Sequence, residues 1–232
     1  MATRPPVEML WSLPAFRVLL IALFLSFSRG AWINFLIGAG IFLVLSYATV
    51  EPRQRARLVG FTLMLTVIAA IAIAIALSFE EIRSLFVQRF QLVQDYDAEE
   101  GGRFDSMRGA MWMALNYPLG IGPDQWPRVS ALHLMPHNIY ANVFVSGGLI
   151  SLIGFVGLTI MTLRTGYRAV KLNPAYCGVL IVALGTFAGH VVEGLIIDSN
   201  HWRHLYIVMG LVWGLALAAE AHAARNHGAQ LR

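Results

Sequence analysis

Arginines and histidines gather in one polar stretch, residues 79–142, which carries Arg83, Arg89, Arg103, Arg108, Arg128, His133 and His137. A guanidinium is planar and permanently charged, so it grips a phosphate or carboxylate through two parallel hydrogen bonds. An imidazole, which titrates near ~6.5 when unperturbed, can accept a proton from a hydroxyl at neutral pH. These residue types suit a site that holds an anion and takes up a proton. The same stretch contains Asp95 and Asp97, two apart, a pattern that holds divalent cations elsewhere. With Glu99 and Glu100 beside them they read instead as a solvated acidic linker, and no metal is expected.

The polar stretch lies between two runs of almost purely apolar residues, 58–78 and 143–163, each about 20 residues long and able to cross the roughly 30 Å hydrocarbon core as a helix. Of the 232 residues 57% are hydrophobic and 13% charged, and the mean hydropathy is +0.64, which marks a polytopic membrane protein rather than a soluble domain. Further apolar runs near 10–28, 31–48, 177–197 and 205–221 bring the expected number of spans to six. The expected class is an all-α integral membrane protein with about six transmembrane helices and a helical periplasmic cap between the third and fourth. Residues 1–78 would hold three spans and a hairpin, 79–142 the cap and its site, and 143–232 three more spans and a tail. Arg53, Arg55 and Arg57, then Arg164, Arg168 and Lys171, then Arg225 and Arg232 fall on one side of such an arrangement. By the positive-inside rule that side is the cytoplasm, with Arg4 and both termini. The cap, with eight acids against five arginines, then faces outward, and the net charge of +4 reports topology rather than a nucleic-acid partner. Within the cap, Ile82, Leu85, Phe86, Phe90 and Val93 recur with a helical period and predict an amphipathic helix over 79–93. A second helix is predicted over 103–115, stopped at Asn116-Tyr117 by Pro118. The single cysteine, Cys177, excludes an intramolecular disulfide.

Four pieces follow one another around this loop. Ser28-Arg29-Gly30 ends an outer hairpin, where Gly30 is expected to permit the reversal. Gly102-Arg103 opens a helix containing Trp112; Pro118-Leu119-Gly120-Ile121-Gly122-Pro123 follows; His137-Asn138-Ile139-Tyr140 precedes a span with Gly147-Gly148-Leu149-Ile150. In this order the set resembles the O-antigen ligase and polysaccharide polymerase family of bacterial inner-membrane glycosyltransferases, from the first hairpin to the segment Asp198-Ser199-Asn200-His201-Trp202-Arg203-His204. Family members usually have more spans before the Ser-Arg-Gly hairpin, so the resemblance implies that this chain corresponds to the C-terminal part of a member. It implies a glycan donor on undecaprenyl diphosphate, an acceptor hydroxyl on a lipid A core or a growing glycan, inverting transfer at the external face, and no cofactor. A lipid diphosphate is already a good leaving group, so the main demand is to neutralise its growing charge. Arg29 and Arg103 are assigned that task and His137 the role of base, with substrate contacts expected from Arg108, Asn138, Tyr140, Trp126, His201 and Arg203. Ligase and polymerase share this donor and chemistry, and the residues do not separate them.

Plainer roles compete with each assignment. Arg29 also reads as a snorkelling anchor at a span end, and Arg103 as a cation at the unfavourable end of a helix dipole, which hints at an anionic partner. Arg108 is five residues from Arg103 and off its helical face. His133 lacks a motif context, and Trp126 and Trp202 read first as interfacial aromatics. His201, Arg203, Asp198 and His204 either complete the site or cap a span. Gly147, Gly148, Gly154 and Gly157 are expected to let helices approach closely. His190 and Glu193 are three apart in a span and can pair, as a functional set or as a satisfied polar one. The rival classes are a transporter or flippase component, with His190, Glu193 and Arg17 along its path, and a noncatalytic scaffold of polysaccharide assembly. Most charges lie outside the spans, which disfavours a path.

Overall fold

The computed structural model describes residues 6–90, 102–130, 135–172 and 175–230, and every regular element among them is helical. Helices α1 (Pro6–Leu25) and α2 (Arg29–Thr49) form a hairpin, and α3 (Pro52–Ala76) follows. The stretch between α3 and α7, expected to form a cap and called so below, contains α4 (Glu80–Phe90), α5 (Arg103–Asn116) and the single turn α6 (Trp126–Val129). Helices α7 (Ile139–Lys171), α8 (Cys177–Glu193) and α9 (Arg203–Gln230) complete the chain, with a 3-10 turn, Ser199–His201, before α9. Asp95, Asp97, Glu99, Glu100 and His133 lie outside the described residues.

Among the described residues four helices are long and apolar enough to cross a membrane: Arg29–Thr49, Pro52–Ala76, Ile139–Lys171 and Arg203–Arg225. The apolar parts of two others, Pro14–Leu25 and Cys177–Glu193, are shorter. The 17 residues of α8 reach about 25 Å at a rise of 1.5 Å per residue, just short of the hydrocarbon thickness. Among the described residues the chain is all-helical, with four candidate membrane spans.

The core lies where α2, α7, α8 and α9 meet, with Phe187, Leu180, Ile181, Val170, Val212 and Ile139 buried in it. By contrast α3 buries no residue. Beyond Arg53, Gln54, Arg55 and Arg57 in its first turns, its apolar surface suits a helix whose solvent is lipid. Helices α2 and α8 approach closely because glycines face one another: a Cβ on Gly185 would stand 2.8 Å from the Gly38 carbonyl oxygen.

The cap is fastened to this bundle at both ends. Phe86 of α4 stacks on Phe24 and Trp32 of the hairpin, with ring centroids 5.5 and 5.2 Å apart. At the other end α7 is interrupted at Gly148, whose φ of 75° and ψ of −171° no helix contains. The segment 118–122 crosses the break and bonds to the backbone groups it releases. Ile121 N–H donates to the Val145 carbonyl (2.8 Å), Gly122 N–H to Ser146 (3.0 Å), and Leu149 N–H to Pro118 (2.9 Å). Inside protein, this re-satisfaction is what permits a broken membrane helix. Gly120, at φ 83°, and Gly148 lie so close to the opposing backbone that a side chain at either would collide with it. The close approach is therefore between a loop and a broken helix, not the helix–helix contact expected for Gly148.

Gly30 also differs from expectation. The hairpin reverses at Phe27, in the left-handed region at φ 48°, and Ser28 caps α2 by accepting the Ala31 N–H at 3.3 Å. Gly30 is already helical, so its lack of a side chain serves something other than the turn.

Candidate functional site

A helix ends with carbonyls that have no partner within it, and α8 ends at Glu193. The next three carbonyls are taken up by two separate pieces of the chain, the start of α7 and the start of α5. Gly194 accepts the Ile139 N–H at 2.7 Å, Leu195 the side-chain amide of Asn138 at 2.8 Å, and Ile196 the guanidinium of Arg103 at 3.0 Å. Two residues later, Asp198 Oδ1 lies 3.6 Å from His137 Nδ1. On the other side, Glu193 Oε1 is 3.1 Å from where a Cβ of Gly30 would be, next to Arg29 in sequence. Residues 193–198 are thus the meeting point of the Ser-Arg-Gly, Gly-Arg and His-Asn motifs.

The His137 side chain is 35% exposed and that of Asp198 14%. At 3.6 Å the pair is at ion-pair range, longer than a hydrogen bond. A carboxylate opposite Nδ1 favours the proton on that nitrogen and so presents the Nε2 lone pair as the acceptor. His137 has φ 43°, a left-handed conformation that costs a non-glycine residue about 1–3 kcal/mol and persists where neighbours over-determine it. Those neighbours are the buried Pro136 and Asn138, the N-cap of α7.

The other expected contacts divide. Asn138 accepts the Ala141 N–H at 2.9 Å while donating to Leu195, and the Tyr140 hydroxyl donates to the Val191 carbonyl at 2.8 Å. Both clasp α7 to the end of α8. Trp126 is 6% exposed, donates to Ser106 Oγ at 3.2 Å, and lies against Gly109. It packs between the cap and α7, in a buried cluster with Ala110, Ala114, Phe144 and Val145, with its indole N–H satisfied inside. Arg108 pairs with Asp105 one turn back and is largely exposed. It stands at the mouth of an apolar cleft of about 340 Å³ between α5 and α7, lined by Met107, Met111, Phe144, Leu152 and Leu195. His201 and Arg203 are exposed beside the turn, and the Trp202 ring bridges His201 and His204 at 6.2 and 5.1 Å. Glu193 accepts the Asn34 amide at 2.6 Å and lies 3.2 Å from His190 Nδ1, both acidic and imidazole groups being buried between α2 and α8. Among the described residues no three His, Cys, Asp or Glu side chains gather as a metal would require.

Sequence reasoning did not pair Asp198 with His137, or Glu193 with Gly30. The available signal was that these are the two acids bracketing the turn between α8 and α9.

A family model described as O-antigen ligase matches residues 14–156, more than half of the chain and including all four motifs. Comparison with curated proteins and with solved structures returns no match.

Proposed function

The chain belongs to the O-antigen ligase family, and we propose that it transfers a glycan from undecaprenyl diphosphate to the hydroxyl of an acceptor sugar, on a lipid A core or a growing glycan. The convergence of the Arg29, Arg103 and His137 motifs on residues 193–198 carries this reading. In the proposed step the acceptor oxygen attacks the anomeric carbon and the bond to the diphosphate oxygen breaks. Its electron pair leaves with the diphosphate, and the hydroxyl proton passes to Nε2 of His137. Arg29 and Arg103 stabilise the charge that grows on the leaving group, the term that dominates such reactions. Asp198 stabilises the imidazolium. A single displacement inverts the anomeric centre and needs no covalent intermediate. The apolar cleft beside Leu195, with Arg108 at its mouth, suits the first isoprene units of the donor.

The reaction takes place at the external face of the bacterial inner membrane. The arginine asymmetry supports this orientation, with α1 and α8 crossing as well to complete six spans and with both termini cytoplasmic. Membranes carrying the full-length gene product, supplied with undecaprenyl-diphosphate-linked glycan and acceptor, should extend or ligate the acceptor. Absence of any transfer with intact substrates would contradict the proposal.

A further inference from the structure

Glu193 has no part in the chemistry just described, yet it is the most enclosed carboxylate beside the site, 6% exposed. One oxygen, Oε2, accepts the Asn34 amide at 2.6 Å and faces His190 Nδ1 at 3.2 Å. The ring of His204, from α9, lies 4.9 Å from that of His190 and closes the cluster from a third helix. The other oxygen points at the first turn of α2. It stands 3.1 Å from the place of a Gly30 Cβ, so only glycine leaves it unhindered there. The approach is fixed further along the same seam, where Gly189 lies against Asn34 and Gly185 against Gly38.

The first turn of α2 contains no acidic residue, and its first residue is Arg29. A cation at the positive end of a helix dipole is disfavoured, and an anion placed there is favoured. We infer that Glu193 is a positioning residue for Arg29, its carboxylate supplying from α8 the negative charge that the N-terminal turn of α2 lacks and so holding that turn where its arginine meets the donor diphosphate. On this account the glycine of the Ser-Arg-Gly motif is the opening through which the carboxylate reaches α2. The inference rests on the proposal that Arg29 stabilises the leaving diphosphate.

Initial rates of transfer from undecaprenyl-diphosphate-linked glycan, at matched membrane levels of the full-length gene product, test it. Glu193→Gln keeps the shape and an acceptor for Asn34 but removes the charge, and kcat should fall about tenfold with little change in donor KM. In an Arg29→Lys background, where the fork is already lost, the same substitution should change kcat less than about twofold, because residues that act as a unit are non-additive. Glu193→Asp, which keeps the charge, should recover part of the loss. If Glu193→Gln does not accumulate, Gly30→Ala, which presses a methyl against Oε1, should show the same background dependence. An equal loss in both backgrounds would assign Glu193 to folding alone and overturn the inference. So would a wild-type rate for Glu193→Gln beside an inactive Arg29→Ala, which leaves the catalytic proposal standing. An active Arg29→Ala would remove both.

Discussion

Replacing Gly148 with alanine should undock the cap from α7. The substitution places a Cβ in a backbone conformation essentially reserved for glycine, at about 1–3 kcal/mol, and that atom would collide with the Pro118 carbonyl and Leu119. Relieving the collision moves segment 118–122 away and breaks the bonds of Ile121 to Val145, Gly122 to Ser146 and Leu149 to Pro118. At about 1 kcal/mol each these contribute some 3 kcal/mol. Together with the strain, a docking free energy lowered by about 4–6 kcal/mol corresponds to roughly a thousand- to ten-thousandfold increase in cap opening. Hydrogen exchange followed by mass spectrometry on the detergent-solubilised protein reads this directly: peptides covering 118–122 and 145–149 should lose protection, while those from α8 and α9 should not. Gly154→Ala is the control, since a Cβ there meets nothing within 4 Å. Unchanged protection of 118–122 in Gly148→Ala, or equal loss in Gly154→Ala, would refute the reasoning that this glycine pair holds the cap in place.

Arg29→Ala and Arg103→Ala should each lower glycan transfer about a hundredfold, the effect of losing one charge-assisted contact of roughly 3 kcal/mol to a developing anion. Arg83→Ala should be mild, since its exposed pair with Glu80 contributes at most about 1 kcal/mol, and so should Arg128→Ala; initial rates at matched expression decide. On a Cys177→Ser background, an impermeant thiol reagent applied to cells with a permeabilised outer membrane should label Arg128→Cys in the cap and spare Glu51→Cys between α2 and α3. The reverse pattern would invert the topology. Trp126→Phe should lower cap stability through the lost bond to Ser106, by about 1 kcal/mol in a thermal melt, with donor KM unchanged.

Much of the scaffold was legible from local pattern. The helix expected over 103–115 is α5, ended as anticipated ahead of Pro118, and the amphipathic period of Ile82, Leu85 and Phe86 marks α4. The interruption at Gly148 was not legible, because the apolar run of α7 continues through it and the partner backbone comes from a loop some 30 residues earlier. Asn138 and Tyr140 sit in a motif next to a candidate base, which favoured a substrate role; only the tertiary structure shows their polar atoms taken by Leu195, Ala141 and Val191. The burial of Trp126 was not legible for the same reason, since an indole near a membrane is equally at home at an interface and around a buried hydroxyl. The pairings of His137 with Asp198 and of Gly30 with Glu193 depend on how α8 ends, which hydrophobic periodicity does not encode.

The general base and the arginine pair make a joint demand that a metal mechanism would not. Transfer by the purified full-length gene product should persist in excess chelator and be largely lost in His137→Ala with donor binding retained. A metal site at Asp95 and Asp97 would make Asp97→Asn as damaging as His137→Ala and would make chelation decisive. The most direct measurement is therefore the initial transfer rate of wild type and His137→Ala, each with and without chelator. The account expects activity only in the two wild-type reactions; an enzyme that requires added magnesium or manganese and tolerates His137→Ala would contradict it.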